Sequence, residues 1–268
     1  MARALGIIPA RYASSRFPGK PLASLSGKPM LQHVCERAAR ARRLEQVWVA
    51  TDDRRIFDAV ARFGGHAVMT RPDHPSGSDR VAEAAALPEA AFASVVVNVQ
   101  GDQPLLDPGA LDALVAAFDE NPQPEMATLF EPLGSARELL DPNVAKVVAD
   151  ARGNALYFSR SPIPYYRGPQ EPMREMGAGQ AELAAARREG LDGWLKHVGV
   201  YAFRRDVLFE FTRLAPGRLE RLEGLEQLRA LEAGYQIRLV PSAGHSLSVE
   251  TPDDLEKAEA ILGSRVTT

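Results

Sequence analysis

Three cations lie within ten residues of one another near the N-terminus of this 268-residue chain. They are Arg11, Arg16 and Lys20, and the segment around them also holds two prolines, a glycine and several small residues. A triphosphate requires this combination, because fixed backbone donors and cationic side chains together offset its charge. The segment contains neither G-x-x-x-x-G-K-[ST] nor G-x-G-x-x-G, which disfavours a Walker loop and a dinucleotide site. We interpret it as a phosphate-binding loop; the alternative is a solvated basic loop.

The elements that would position these cations alternate between strand and helix patterns in the first half of the chain. The patterns predict strands at 5–8, 47–50, 66–69 and 94–99 and helices at 30–42, 56–63 and 78–86, the last with Ser78 as N-cap. Apolar runs separated by helices are typical of a parallel sheet covered on both faces. The sequence therefore predicts a three-layer α/β fold with a mostly parallel, twisted sheet.

The second half of the chain has a less regular pattern. It predicts strands at 126–130, 144–149, 155–158, 197–203 and 236–241, and helices at 219–233 and after Thr251. The last helix would have Thr251 as N-cap and Pro252 as its first residue. We interpret the polar stretch at about 160–195 as an excursion from the core that could contribute to a dimer interface. Residues 1–268 are then one domain.

A carboxylate follows the most apolar of the predicted strands, at Asp102. At the carboxyl edge of a sheet it could hold Mg²⁺ against phosphates, since this ion favours one or two carboxylates with phosphate and water oxygens. The alternative is a turn or helix cap. Asp52 likewise ends a strand, and there we favour a cap of the helix beginning near Arg54 over a contact with the basic loop.

Composition narrows the classes of partner. The net charge of −3, from 32 basic and 35 acidic side chains, gives no electrostatic reason to expect nucleic acid or an anionic membrane. No run of about 18 apolar residues occurs, which predicts no membrane span. The single cysteine, Cys35, excludes an internal disulfide and sits in an apolar helical pattern. A reducing, cytoplasmic location is the simplest inference.

The sequence resembles the 3-deoxy-manno-octulosonate cytidylyltransferase family in blocks that follow the family's order over nearly the whole chain. The blocks are 7–22, 50–52, 74–80, 97–102, 155–160, 197–201, 225–229 and 250–256. The resemblance implies a nucleotide-diphospho-sugar transferase-like, Rossmann-like fold. It also implies transfer of CMP from CTP to the anomeric hydroxyl of 3-deoxy-D-manno-octulosonate (Kdo), with release of pyrophosphate. Such enzymes supply lipopolysaccharide synthesis and are cytoplasmic, Mg²⁺-dependent and usually homodimeric.

The loop and the resemblance together predict a set of site residues. Those expected to bind CTP are Ala10, Arg11, Ser14, Arg16, Lys20, Ser76, Gly77, Arg80 and Asp102, and the catalytic ones among them are Arg11, Arg16, Lys20 and Asp102. Those expected to bind the sugar are Gln100, Arg160, His197, Tyr201, Glu220 and Gln227. Taken alone, His197 and Tyr201 in an apolar strand are more often core residues.

The predicted metal ligands are Asp102 and Glu250. The family usually has an aspartate where this chain has Glu250, and commonly a glutamate where it has Gln103. Glu250 keeps the negative charge, but its side chain is one methylene longer. Because Mg²⁺ requires tight octahedral geometry, the sequence leaves open whether Glu250 serves as the second metal ligand.

Two alternative functions remain open at this point. One is CMP transfer to another acid sugar, such as an amino-Kdo or a sialic acid, because the loop and metal residues would be the same. The other is a weakly active homologue that serves as a nucleotide-binding protein. The glutamate at position 250 favours it, and the presence of Arg11, Arg16, Lys20 and Asp102 opposes it.

Overall fold

A computed structural model describes residues 1–13, 17–120, 123–165, 194–243 and 247–266. The strands are Ala4–Ala10 (β1), Ser24–Leu25 (β2), Lys28–Pro29 (β3), Leu44–Thr51 (β4), His66–Met69 (β5), Val95–Asn98 (β6), Met126–Pro132 (β7), Lys146–Ala149 (β8), Ala155–Ser159 (β9), Leu195–Arg204 (β10) and Ile237–Pro241 (β11). The helices are Met30–Ala38 (α1), Arg54–Arg62 (α2), Gly77–Ala85 (α3), Pro108–Ala116 (α4), Ala136–Leu140 (α5), Arg205–Phe211 (α6), Arg218–Glu223 (α7), Gln227–Glu232 (α8) and Pro252–Val266 (α9). Short 3-10 turns cover Lys20–Leu22, Pro88–Ala90 and Ala117–Asp119.

One large sheet has the strand order β11-β7-β10-β6-β1-β4-β5, and β8 pairs with both β10 and β9. Strand β1 is parallel to β4 and β6, β4 is parallel to β5, and β11 is parallel to β7. Strand β10 is antiparallel to both of its neighbours β6 and β7. Along this path β10 therefore runs against the other strands, and the predicted mostly parallel sheet is confirmed.

Helices cover both faces of this sheet. Successive side chains of a strand point to opposite faces, and in the central strands both sets are apolar. Ile7 and Val96 belong to one buried apolar cluster, which includes Val81 of α3. Their neighbours Ile8 and Val97 belong to a second cluster on the opposite face. Strands buried on both faces read as continuous apolar runs, which is why the sequence pattern predicted the three layers correctly.

Three predicted details of the helices are wrong. Helix α3 begins two residues earlier than expected, because the Ser76 hydroxyl, rather than that of Ser78, accepts the capping bond from the Asp79 N–H at 3.2 Å. The cap of α2 is Asp53 and not Asp52, with its carboxylate 2.9 Å from the Arg55 N–H. The helix expected at 219–233 is two helices, because Gly224 (φ 61°) adopts the left-handed conformation that ends α7.

The start of α9 agrees with the sequence. Pro252 is its first residue, the Thr251 hydroxyl lies 3.3 Å from the Asp254 N–H, and the Asp254 carboxylate accepts from the Thr251 N–H at 3.1 Å. These reciprocal bonds satisfy donors at the helix start. Most of the predicted excursion at 160–195 lies outside the described residues. No helix of the described chain is long and apolar enough to cross a bilayer.

The sheet brings the predicted site residues to one edge. Asn98 of β6 pairs with Ile7, and Thr51 of β4 pairs with Ala10, so the segments that follow β1, β4 and β6 leave the sheet side by side. The segment after β6 comes closest to β1 at Gly101, where a Cβ atom would lie 3.1 Å from the Pro9 carbonyl oxygen. Glycine permits that approach because it has no side chain.

We expect Gly101→Ala to destabilise the protein by about 1–3 kcal/mol, because the added methyl group meets a backbone oxygen that cannot rotate away. Gly199→Ala is the matched control, since a Cβ atom there has nothing within 4 Å. Denaturant unfolding of both variants measures the difference. Equal stability of the two would mean that the close approach of Gly101 to Pro9 does not constrain the sheet edge.

Candidate active site

Lys20 joins three segments that are far apart in the sequence. Its ammonium group lies 3.0 Å from the Asp102 carboxylate and donates to the Val249 carbonyl at 2.8 Å. The Val249 N–H in turn donates to the Asp102 carbonyl at 2.8 Å. The side chains of Lys20 and Asp102 keep 17% and 26% of their surface exposed, so both remain accessible to a ligand.

The turn that carries Lys20 is held at its base by Tyr12 and Gly19. The Gly19 N–H donates to the Tyr12 carbonyl at 2.9 Å. Gly19 has φ 73°, and a Cβ atom there would lie 3.0 Å from the Tyr12 hydroxyl oxygen. Only glycine adopts this conformation at little cost. The predicted residues Ser14 and Arg16 lie outside the described residues.

Arg11 connects the end of β1 to the segment before α3. Its guanidinium donates to the His74 carbonyl and lies 3.4 Å from the Ser76 carbonyl. Gly77 packs against the same strand, since a Cβ atom there would be 3.4 Å from the Pro9 ring. The structure thus brings together Arg11, Ser76 and Gly77 beside the buried Ala10.

Arg80 lies behind this group and is completely buried. Its guanidinium lies 3.2 Å from the Asp52 carboxylate and donates to the Thr70 hydroxyl at 2.5 Å. Burial lowers the pKa of Arg80, and the Asp52 charge opposes that change. Asp52 is therefore an ion-pair partner for a buried arginine and not the predicted helix cap. In the described residues, Nε and Nη2 of Arg80 have no hydrogen-bond acceptor.

Three of the residues predicted to bind sugar form one network. The Tyr201 hydroxyl donates to Gln227 Oε1 at 2.9 Å, and Gln227 Nε2 lies 3.5 Å from His197 Nδ1. His197 Nε2 lies 2.9 Å from the hydroxyl of Thr128, which donates to the Val200 carbonyl at 2.8 Å. Burial lowers the pKa of His197 to about 3, so its imidazole is neutral near pH 7. The bonds are mutually consistent when Nε2 carries the proton.

A second chain of bonds runs from Gln100 to a residue that the sequence reasoning missed, Glu226. The Gln100 amide lies 3.4 Å from Asn98 Oδ1, and the Asn98 amide lies 3.3 Å from the Ser78 hydroxyl. Ser78 donates to Glu226 Oε2 at 2.7 Å. Burial raises the pKa of Glu226, although hydrogen bonds from Ser76 and Ser78 oppose it. Its Oε1 atom has no hydrogen-bond donor in the described chain.

The remaining two predicted sugar residues have other partners. Glu220 is held by Arg229, whose nitrogens lie 2.6 and 2.8 Å from its carboxylate oxygens. Arg160 donates to the carbonyl groups of Glu223, Pro142 and Gly224 at 2.6, 2.8 and 3.2 Å. Among the described hydrogen bonds, neither residue joins the network of His197, Tyr201 and Gln227. The only sign of Glu226 in the sequence was its place beside Gln227 in the family block 225–229.

Glu250, the second predicted metal ligand, directly follows Val249. Because Val249 is bonded to Asp102, the two predicted carboxylates belong to adjoining backbone segments. The Glu250 N–H lies 3.3 Å from the Asp254 carboxylate, which fixes its backbone at the start of α9. No group of three or more His, Cys, Asp or Glu side chains in the described ranges is arranged to hold a metal ion.

Comparisons with known proteins show which proteins this chain is similar to. A family model described as cytidylyltransferase matches residues 5–237. A 3-deoxy-manno-octulosonate cytidylyltransferase from Geobacter sulfurreducens is 49% identical, over 94% of this chain and 96% of its own length. One of the same name from Syntrophobacter fumaroxidans is 51% identical over 97% of each chain. The solved structure of CMP:2-keto-3-deoxy-manno-octonic acid synthetase complexed with CTP has a TM-score of 0.85 and 43% identity, covering 98% of this chain and all of that one.

We expect His197→Gln to make the free energy of unfolding depend less on pH below about 6.5. The folded pKa of His197 is about 3, against about 6.5 in an unfolded chain, so the unfolded state binds a proton first as the pH falls. The wild-type protein then loses up to about 1.4 kcal/mol per pH unit between pH 6.5 and 3 through this one group. Denaturant unfolding at several pH values measures the slope.

In the variant, the slope of the free energy of unfolding against pH should be smaller over that interval, by the equivalent of up to one bound proton. His66→Gln serves as the control, because it removes an exposed imidazole from an edge strand instead of one enclosed by Phe158, Tyr201 and Gln227. A His197→Gln protein with the wild-type slope would contradict a neutral His197.

Proposed function

The chain belongs to the cytidylyltransferase family, and we propose that it transfers CMP from CTP to the anomeric hydroxyl of Kdo, releasing pyrophosphate. Relatives that are 46–51% identical over nearly the whole chain carry the name 3-deoxy-manno-octulosonate cytidylyltransferase. The observation that carries the proposal is the contact of Lys20 with Asp102 and Val249, at the carboxyl edge of the central strands. Open α/β sheets bind ligands at that edge.

In this reaction the basic loop would bind the triphosphate. The proposed step is in-line attack of the sugar hydroxyl on the α-phosphorus, with breakage of the bond to the departing pyrophosphate. Such a reaction needs mainly positioning and charge stabilisation from the protein. Lys20 and Arg11 would offset the charge of the leaving pyrophosphate, together with Arg16. The Ser76 and Gly77 backbone beside Pro9 would border the nucleoside.

Asp102 and Glu250 are the residues that would hold Mg²⁺. They fit this ion because two carboxylates from adjoining segments leave its other positions to phosphate and water oxygens, as Mg²⁺ prefers. The Asp102 carboxylate is already the partner of a cation, the Lys20 ammonium. When bound, the metal would supply charge neutralisation at the phosphates and a lower pKa for the attacking hydroxyl.

The network around His197 would bind the sugar acceptor. A neutral His197 offers hydrogen bonds rather than a positive charge, so it cannot form an ion pair with the sugar carboxylate. Arg160 keeps N–H groups beyond the three that bond backbone carbonyls and could take that role. Glu226 Oε1 is buried, lacks a hydrogen-bond donor in the described chain and lies 4.0 Å from an Arg229 nitrogen, so it would have to be uncovered to accept from a sugar hydroxyl.

The wider context belongs to the same proposal. We infer a single-domain, cytoplasmic homodimer that supplies CMP-Kdo for lipopolysaccharide synthesis, with the segment at about 160–195 at the subunit interface. Light scattering of the purified chain tests the dimer. A monomer at working concentration would remove this part of the proposal and leave the reaction unaffected.

We expect the protein to release pyrophosphate from CTP and Mg²⁺ in the presence of Kdo, and to prefer Kdo over other acid sugars. Lys20→Ala and Asp102→Asn should each lower kcat by about 10²–10³-fold, because each removes a charge from the triphosphate site. Lys28→Ala is the control, since Lys28 is exposed and pairs with Glu36. CTP binding without turnover on any acid sugar would instead support a nucleotide-binding protein.

Glu250→Gln tests the second metal ligand. We expect it to raise the Mg²⁺ concentration needed for half-maximal activity by about tenfold or more, because the variant loses a charged ligand. Glu250→Asp should need a Mg²⁺ concentration closer to that of the wild-type protein, since it keeps the carboxylate. Glu256→Gln, on the exposed side of α9, is the control. Direct binding of Mn²⁺ provides a second readout, and unchanged affinity in Glu250→Gln would exclude Glu250 as a ligand.

A further inference from the structure

A set of reciprocal hydrogen bonds joins the end of β9 to the end of α7. The Glu223 carboxylate accepts from the Ser159 hydroxyl at 2.7 Å and from the Arg160 N–H at 2.9 Å, with the Tyr157 hydroxyl 3.5 Å away. In the opposite direction, the Arg160 guanidinium donates to the Glu223 and Gly224 carbonyls at 2.6 and 3.2 Å. Segments more than 60 positions apart are therefore fixed to each other at residues 223 and 224.

This junction lies directly before the residues that face the acceptor network. Gly224, in its left-handed conformation, ends α7, and α8 begins only at Gln227. Because the helix is broken, α7 cannot align Glu226 and Gln227 through a continuous backbone ladder. Their placement depends on what holds the turn between the two helices, and the bonds of Glu223 and Arg160 hold the last residue of α7 and the first residue of the turn.

The chemistry of the junction favours a carboxylate at position 223. Burial raises the pKa of Glu223, but the Arg160 N–H and the Ser159 and Tyr157 hydroxyls lower it by more, so the net shift is downward. An ionised carboxylate presents only acceptors to these three donors. A glutamine could keep its oxygen on the Arg160 N–H, but its NH₂ group would then face the Ser159 and Tyr157 hydroxyls, which would have to accept instead of donate. The bonds to an ionised acceptor, which are stronger than neutral ones, would be lost.

We infer that Glu223 is a positioning residue for Glu226 and Gln227, and through them for the sugar acceptor, an inference that rests on the proposed function. Arg160 serves the same junction through its contacts with backbone carbonyls. The nucleotide half of the site, around Lys20 and Asp102, is formed by other segments. Loss of the junction should therefore affect the acceptor and leave CTP binding unchanged.

The test compares Glu223→Gln with Glu210→Gln. Glu210 also accepts a hydrogen bond from a tyrosine hydroxyl, that of Tyr235 at 2.8 Å, but on α6 at the surface. In Glu223→Gln we expect the KM for Kdo to rise about tenfold and the Kd for CTP, measured by calorimetry, to stay within twofold. Glu210→Gln should change neither. The same substitution in a Gln227→Ala background should raise the acceptor KM much less, because the side chain that Glu223 positions has been removed.

Hydrogen exchange at the first turn of α8 gives a readout that does not depend on turnover. The Leu228 and Arg229 N–H groups donate to the Leu225 and Glu226 carbonyls, both at 3.1 Å. They should exchange several-fold faster in Glu223→Gln than in Glu210→Gln. Unchanged exchange, an unchanged acceptor KM, or an equal loss of CTP affinity would each overturn the inference. An absence of turnover in the wild-type protein would count against the proposed function alone, since the exchange result still decides the role of Glu223.

Discussion

The contact of the Lys20 ammonium with Asp102 and Val249 is the interaction on which the geometry of this site depends. It joins the N-terminal loop, the segment after β6 and the segment before α9 at one point. Lys20 is held there by the turn that Gly19 permits, and Asp102 by the close approach of Gly101 to β1. An ion pair that keeps part of its surface exposed contributes little to stability by itself. Its value lies in placing a cation and a carboxylate together where a triphosphate and its metal would meet.

The antiparallel strand β10 brings the second half of the site to the same edge. Tyr201 of β10 pairs directly with Asn98 of β6, just before Gln100 and Asp102. His197 lies on the same strand, four residues earlier, where β10 also pairs with β7. A parallel strand in this position would present its residues in the opposite order along the edge. The reversal of β10 between the parallel-running β6 and β7 is thus what places the proposed acceptor network beside the proposed nucleotide half.

The sequence predicted the features that depend on local pattern. Apolar runs identified the buried strands. Closely spaced cations among prolines and a glycine identified the basic loop, and cap residues identified the start of α9. Asp102 was identified by its place after a strand. Two errors are local, since the caps of α2 and α3 are Asp53 and Ser76 and not the nearby residues that the pattern favoured. Others concern features that depend on tertiary contacts. Asp52 pairs with Arg80, a residue 28 positions away, and nothing in its neighbourhood distinguishes that role from a cap.

The acceptor side shows the same division between local pattern and tertiary contact. A helical period ran through 219–233, but the left-handed Gly224 interrupts the helix and turns Glu226 towards Ser78. Glu220, which stays a predicted sugar residue, pairs with Arg229. Helical spacing could not separate these two glutamates, because both lie in the same amphipathic stretch. What separates them is the partner that each meets after the chain folds.

The two halves of the site also differ in how they handle charge. The proposed nucleotide half presents Lys20 beside the Asp102 carboxylate and Arg11 beside backbone carbonyls, at positions that water still reaches. In the acceptor half, burial shifts the pKa of His197 down and that of Glu226 up, so both shifts favour the neutral form. Salt screens exposed charges much more than it weakens hydrogen bonds between buried groups. In the proposed site, charge would therefore govern the nucleotide half, whereas the acceptor half would discriminate by the placement of hydrogen-bond partners, which is what a sugar rich in hydroxyl groups requires.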